Sequence, residues 1–203
     1  MTENGFKYVD LGLPSGTMWA TCNVGATKPE DEGLLFQFGR VDGYAYNDSN
    51  NQFRTYDQNF EDTGSENIPL TTSGKVYKRN EILDLEDDAA HVNMGGKWMM
   101  PTNDQLEELY DNTECSIVTI NGVKDMLITS DINGHQLFIP FMQGCWYCSE
   151  YVRECGSTYM WSSQISGSNV SGAYILFCNF GGVANTGIAN RSNGFSVRGV
   201  FNK

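Results

Sequence analysis

Three observations predict an α+β fold, with two short helices and a set of short antiparallel strands. Two brief helical patterns stand near the middle of the chain, at 86–92 and from Thr102 on. From Cys115 onward the apolar residues alternate in short runs, with turn dipeptides between them. Glycine is abundant, at 22 of 203 residues, as expected for many turns. Helical patterns followed by a long series of strands place the two element types in separate parts of one domain. Neither a linker nor an internal repeat divides the sequence, so residues 1–203 are read as one domain.

In order along the chain, Tyr8 to Leu13 alternates and meets the turn signal Pro14-Ser15-Gly16. With Thr17 to Val24 as its second arm, this predicts a hairpin. Pro29-Glu30-Asp31 predicts one turn of helix, and Leu34 to Gly39 is a buried apolar segment. Asp42 to Lys78 is long, polar and without helical period, and reads as a surface insertion held by its tyrosines. Glu86 to Val92 reads as a short helix whose acids complement the macrodipole. A calcium site on Glu86, Asp87 and Asp88 is disfavoured, because the alternating spacing of a calcium loop is missing. Thr102 and Gln105 form the signature of a capping box. Leu106, Leu109 and Tyr110 then form the core stripe of the second helix, with Glu107, Glu108 and Asp111 wet. Asn121-Gly122 joins Ile117–Ile120 to Met126–Thr129, and Asn133-Gly134 precedes Gln136–Pro140.

Composition excludes several classes. A net charge of -12 repels a phosphate backbone, so no nucleic-acid partner is expected. No apolar run approaches the ~20 residues of a spanning helix, so membrane insertion is not expected. The opening MTENGFKYVDLGLP lacks the basic and apolar regions of a signal peptide. Without a secretory signal, the six cysteines are expected mainly as free thiols.

Catalytic patterns are scarce. His91 and His135 are the only histidines, and neither stands in a triad motif. Cys145-Trp146-Tyr147-Cys148 is a CxxC in strand-rich sequence, not at a helix start where the thiol would be activated. No second pair accompanies it to make a zinc site. No enzymatic activity, metal or cofactor is expected. A thiol oxidoreductase using Cys145 and Cys148 is the enzymatic alternative.

Tyr8-Val9-Asp10-Leu11-Gly12-Leu13-Pro14-Ser15-Gly16-Thr17, Trp19-Ala20-Thr21-Cys22-Asn23-Val24-Gly25-Ala26, Leu85 to Ala90, Gly95-Gly96, Trp98, Met100-Pro101-Thr102, Trp161-Ser162-Ser163 and Gly194-Phe195-Ser196-Val197-Arg198 together carry a resemblance. Over nearly its whole length the chain resembles the Fibrobacter succinogenes major paralogous domain. It is also similar to the variable proteins of diversity-generating retroelements of gut bacteria and their phages. The resemblance implies a C-type-lectin-like fold of the formylglycine-generating-enzyme type. It also implies a hypervariable region at 159–201, between the Trp-Ser-Ser and Gly-Phe-Ser-Val-Arg segments. Display on a virion or cell surface is implied as well, with a protein or glycan on a cell surface as partner. The calcium-site motifs of sugar-binding C-type lectins are missing, and no catalytic cysteine pair can be matched, so no activity is carried over.

In that family, mutation falls at template adenines, often in Asn codons. Such codons cannot yield Lys, Glu, Gln, Met or Trp, and none of these five occurs from Ile165 to Asn193. They make up about a fifth of an ordinary chain. The alternative is a Gly/Ser/Asn-rich run in a non-diversified adhesin or assembly protein. Strand alternation over Ala173–Asn179 puts Tyr174, Leu176 and Cys178 on one face. With that face inward, Ile175 and Phe177 are solvent-facing, joined by Ile165, Val170, Phe180 and Ile188 in an apolar patch. Asn169, Asn185, Thr186, Asn190 and Arg191 supply adaptable hydrogen bonds, with Arg191 as hot spot. Ser168, Asn179 and Ala184 complete the expected ligand-binding set.

Overall fold

The computed structural model describes residues 1–45, 71–120, 123–142, 144–147, 150–153, 157–179 and 184–203, and of 120, 123, 124, 144–147 and 150–153 the backbone alone. The strands are β1 (Thr2–Glu3), β2 (Phe6–Asp10), β3 (Thr17–Asn23), β4 (Leu35–Phe36), β5 (Thr113–Ile120), β6 (Val123–Ser130), β7 (Gln136–Ile139), β8 (Gly144–Tyr147), β9 (Glu150–Arg153), β10 (Ser157–Ile165), β11 (Gly172–Asn179), β12 (Ala184–Asn190), β13 (Phe195–Ser196) and β14 (Arg198–Asn202). Between β4 and β5 lie α1 (Ala89–Met94) and α2 (Asn103–Asp111).

The expected α+β, C-type-lectin-like fold is overturned: the protein is mostly β. Its strands form sheets β1-β2-β3-β14, β12-β11-β10-β13-β4 and β5-β6-β7, with β8-β9 as a separate ribbon. The helices, six and nine residues long, are too short to make a layer. The reason lies in how the strands alternate. Two apolar clusters share the strands between them. Met18, Ala20, Trp161, Ile175 and Phe201 point into the first cluster. Their neighbours Trp19, Met160, Leu176 and Val200 point into the second. Strands with apolar residues at consecutive positions are buried on both faces, and sheets rather than helices cover most of that surface.

Local predictions hold where the turn chemistry was specific. β2 and β3 pair antiparallel through Tyr8↔Ala20 and Val9↔Trp19. β5 and β6 pair up to Ile120↔Val123, and Gly134, at φ 71°, closes the connection into β7. Leu35, Phe36 and Phe38 are fully buried, as expected of 34–39. At Pro29-Glu30 there is a turn and no helix; the Asp31 carboxylate accepts from the Lys28 N–H at 3.2 Å.

Thr102 caps α2 with the full capping box: its hydroxyl accepts from the Gln105 N–H, and the Gln105 side chain accepts from the Thr102 N–H. Leu106 and Leu109 are buried, but Tyr110 is exposed, so the stripe is narrower than expected. The acids before α1 act by hydrogen bonding, and none sits in its first turn. Asp88, buried, accepts from the N–H groups of His91 and Met100, both at 2.8 Å. Asp87 accepts from Ser73 and from the Tyr77 hydroxyl. Most of the expected 42–78 insertion lies outside the described residues.

Candidate binding surface

The two motifs that bracket the C-terminal run build its frame. Trp161, fully buried, donates from its indole N–H to the Phe36 carbonyl at 2.8 Å. Phe195 stacks on Tyr159 with ring centroids 4.7 Å apart and packs against Trp161 at 4.9 Å. The Ser196 hydroxyl donates to the Tyr159 carbonyl at 2.8 Å.

Arg198 is fully buried. Its Nε donates to Asn23 Oδ1 at 2.8 Å, and its Nη1 to the carbonyl of Phe138 at 2.8 Å and to those of Ala20 and Thr21 at 3.3 Å. Burial pushes its guanidinium down to about 10, since water no longer solvates the charge. A charge held this way by four neutral acceptors fixes β14 against β3 and β7.

Between these brackets the described residues reach the surface in two places. The first is the loop 166–171, tied by its own side chains. The Ser166 hydroxyl accepts from the N–H groups of Ser168 and Asn169. Asn169 Oδ1 accepts from the N–H and hydroxyl of Ser171, and the Tyr174 hydroxyl accepts from the Gly167 N–H at 3.1 Å. The second is β12, which ends the five-stranded sheet. They meet where Gly172 pairs with Asn190 and the Arg191 N–H donates to the Ser171 carbonyl at 2.9 Å. A Cβ on Gly172 would lie 2.5 Å from Ile188 Cγ2, so Ile188 sits at the base of the loop.

The expected site residues divide accordingly. Ser168, Asn169, Asn185 and Ile188 are exposed, and Val170, Thr186 and Asn190 half-buried. They form one surface along the loop and β12. Ile165 and Ile175 are instead core residues, because β10 and β11 are covered on both faces. Ala184 is buried in the second cluster, beside Cys178 and Leu176. Phe177 is half-buried, its ring 5.0 Å from Tyr159, and Asn179 is half-buried at the end of β11. Phe180 lies outside the described residues.

Arg191 is not a surface hot spot. It is buried, with its guanidinium 5.4 Å over the Phe38 ring and Nη1 donating to the Val170 carbonyl at 3.2 Å. Asn169 and Asn190 also do more than face solvent. Asn190 Oδ1 accepts from the N–H and hydroxyl of Ser192, so both oxygens shape turns. The sequence reading left out Asn80, whose Oδ1 lies 2.5 Å from the position of a Cβ on Gly167. Asn80 is exposed beside the loop, at φ 64°. Its separation of 87 residues from Gly167 left no local signal of that contact.

Chemistry is sparse on the rest of the described surface. His91 Nδ1 is bonded to the Trp98 carbonyl and His135 Nδ1 to that of Asp10. Cys22, Cys115 and Cys178 are free thiols, and burial pushes Cys115 and Cys178 up, opposite to an activated nucleophile. The side chains of the Cys145-to-Cys148 motif lie outside the described residues. Among the described residues no group of three His, Cys, Asp or Glu could hold a metal, and no helix is long and apolar enough to cross a membrane. No family model matches the chain, and no curated protein or solved structure gives a significant match.

Proposed function

We propose that the protein displays a ligand-binding surface of the diversity-generating-retroelement variable type, with the loop 166–171 and β12 as its recognition face. The observation that carries this reading is the composition of the run 165–193. It holds no Lys, Glu, Gln, Met or Trp, the five residues that mutated Asn codons cannot reach. The arrangement of exposure supports it. Ser168, Asn169, Asn185 and Ile188 are exposed, while Trp161, Phe195 and Arg198 on either side are wholly buried. A rigid frame presenting adaptable polar and apolar side chains is how a paratope works. The partner is a protein or glycan on a cell surface, bound by shape and hydrogen bonding without chemistry.

Sequencing the DNA downstream of the gene tests this. The expected result is a repeat matching the codons for 159–201 and differing only at adenines, near a reverse-transcriptase gene. Their absence would overturn the reading in favour of a non-diversified adhesin or assembly domain.

A further inference from the structure

β12 is an edge with unusual features. Its register with β11 runs unbroken from Gly172↔Asn190 to Cys178↔Ala184, with no bulge. Its sequence, ANTGIAN, contains no charge and no proline. Natural edges are blunted by such devices, and several other edges of this molecule are. β1 and β4 are two residues long, and Leu35 of β4 is bridged to Tyr44. β14 is bridged to Met99 through Val200, and β5 carries Glu114.

The open groups can be assigned. The Arg191 N–H donates to the Ser171 carbonyl, so Arg191 and Ser171 form a hydrogen-bonded pair. In an antiparallel ladder such pairs alternate with non-bonded ones. Ala189, Gly187 and Asn185 therefore point their backbone groups at β11, and Asn190, Ile188 and Thr186 point theirs away. Gly172, opposite Asn190, agrees: its carbonyl accepts from the Ser166 N–H and its N–H donates to the Asn169 carbonyl, both away from β12. The Asn190 carbonyl accepts from the Asn193 N–H at 3.0 Å. Among the described residues, the N–H and C=O of Thr186 and Ile188 and the N–H of Asn190 have no partner. This alternating row fits another extended backbone.

Charge selects the occupant. β12 itself is neutral, and the chain as a whole carries a net charge of -12. Two copies at -12 each repel one another, while an uncharged or basic segment does not.

We propose that β12 is a strand-docking edge. An extended, uncharged or basic segment of a protein partner adds beside it, bonded to the backbone groups of Thr186, Ile188 and Asn190. The inference rests on the display reading and deepens it. Backbone bonds supply an affinity that survives side-chain variation, and the side chains of Ile188 and Asn190 supply the specificity.

The test selects short random linear peptides, displayed on phage, against the full chain, and measures the winners as synthetic peptides. N-methylation at alternate peptide residues is expected to weaken binding by about ten-fold or more, the effect of losing one or two hydrogen bonds. Thr186→Pro, whose lost N–H faces outward and leaves the β11 pairing intact, should do the same. Thr186→Val should bind within about three-fold, because the backbone is unchanged. Since the N-methylated peptide leaves the protein untouched, a folding defect in the proline variant cannot mimic the result. Winners insensitive to N-methylation and to Thr186→Pro overturn the docking mode. If those winners still lose binding on Asn169→Ala or Ile188→Ala, the display reading survives; if they ignore both, it falls too. A wild-type dimer in sedimentation that Thr186→Pro abolishes would assign the edge to a second copy, and a selection yielding no peptide would also overturn the proposal.

Discussion

The frame of the C-terminal sheet and the surface it carries use residues in opposite ways. At Trp161, Phe195 and Arg198 every side chain has buried neighbours and a hydrogen-bonding or stacking partner dozens of residues away. At Ser168, Asn185 and Ile188 the side chains meet solvent; backbone pairing sets the local conformation at Asn185 and Ile188, and the Ser166 hydroxyl sets it at Ser168. The difference teaches that a fold can fix where a surface sits without fixing what the surface is made of. Recognition can then change while stability does not.

Breaking the frame should produce the largest effect. Trp161→Ala removes a large, fully buried side chain of the first cluster and its hydrogen bond to the Phe36 carbonyl. Denaturant unfolding should show a loss of about 3–5 kcal/mol or outright failure to fold. A smaller but still structural effect is expected at Arg191. Arg191→Ala loses the contact over Phe38 and the bond to the Val170 carbonyl, and should cost about 1–2 kcal/mol. Were Arg191 a recognition residue, the same variant would lose binding with its melting temperature unchanged.

A pH-dependent test probes the second cluster. Asp125 is buried, its Oδ1 accepting from the Phe141 N–H at 3.1 Å. Burial, aided by the charge of Glu30, holds its carboxyl above the ordinary 3.8. A raised carboxyl costs nothing below the unfolded value, and the cost grows as pH rises through the folded value. Asp125→Asn should therefore be more stable than wild type at pH 7. The gap should close as pH falls below 3.8, which stability curves at several pH values would check. The smallest effects belong to the surface: Asn185→Ala and Ile188→Ala should each stay within about 0.5 kcal/mol in thermal unfolding. A larger loss at either would erase the contrast with the frame.

The legible parts of the chain were those with local chemistry. Asn-Gly dipeptides placed the β5-β6 and β6-β7 connections, and Thr102 with Gln105 placed the start of α2. The motifs around Trp161 and Phe195 were recognisable, although their role is burial. What could not be read was which face of a strand meets solvent when both faces are apolar. Ile175 and Leu176 look alike in sequence, and each enters a different core. Assigning one face inward therefore pushed Ile175 outward wrongly. Arg191 looked like a surface cation because Phe38, which it covers, lies 153 residues earlier. The mostly-β architecture escaped notice for a related reason. The helical patterns were real but short, and alternation does not reveal how strands group into sheets.

The most direct measurement is to sequence this locus across a population of cells that carry it and map the substitutions onto exposure. Substitutions concentrated at Ser168, Asn169, Asn185, Thr186, Ile188 and Asn190, with Trp161, Phe195 and Arg198 constant, are the predicted result. Substitutions spread evenly over frame and surface, or a C-terminal run identical in every copy, would contradict it.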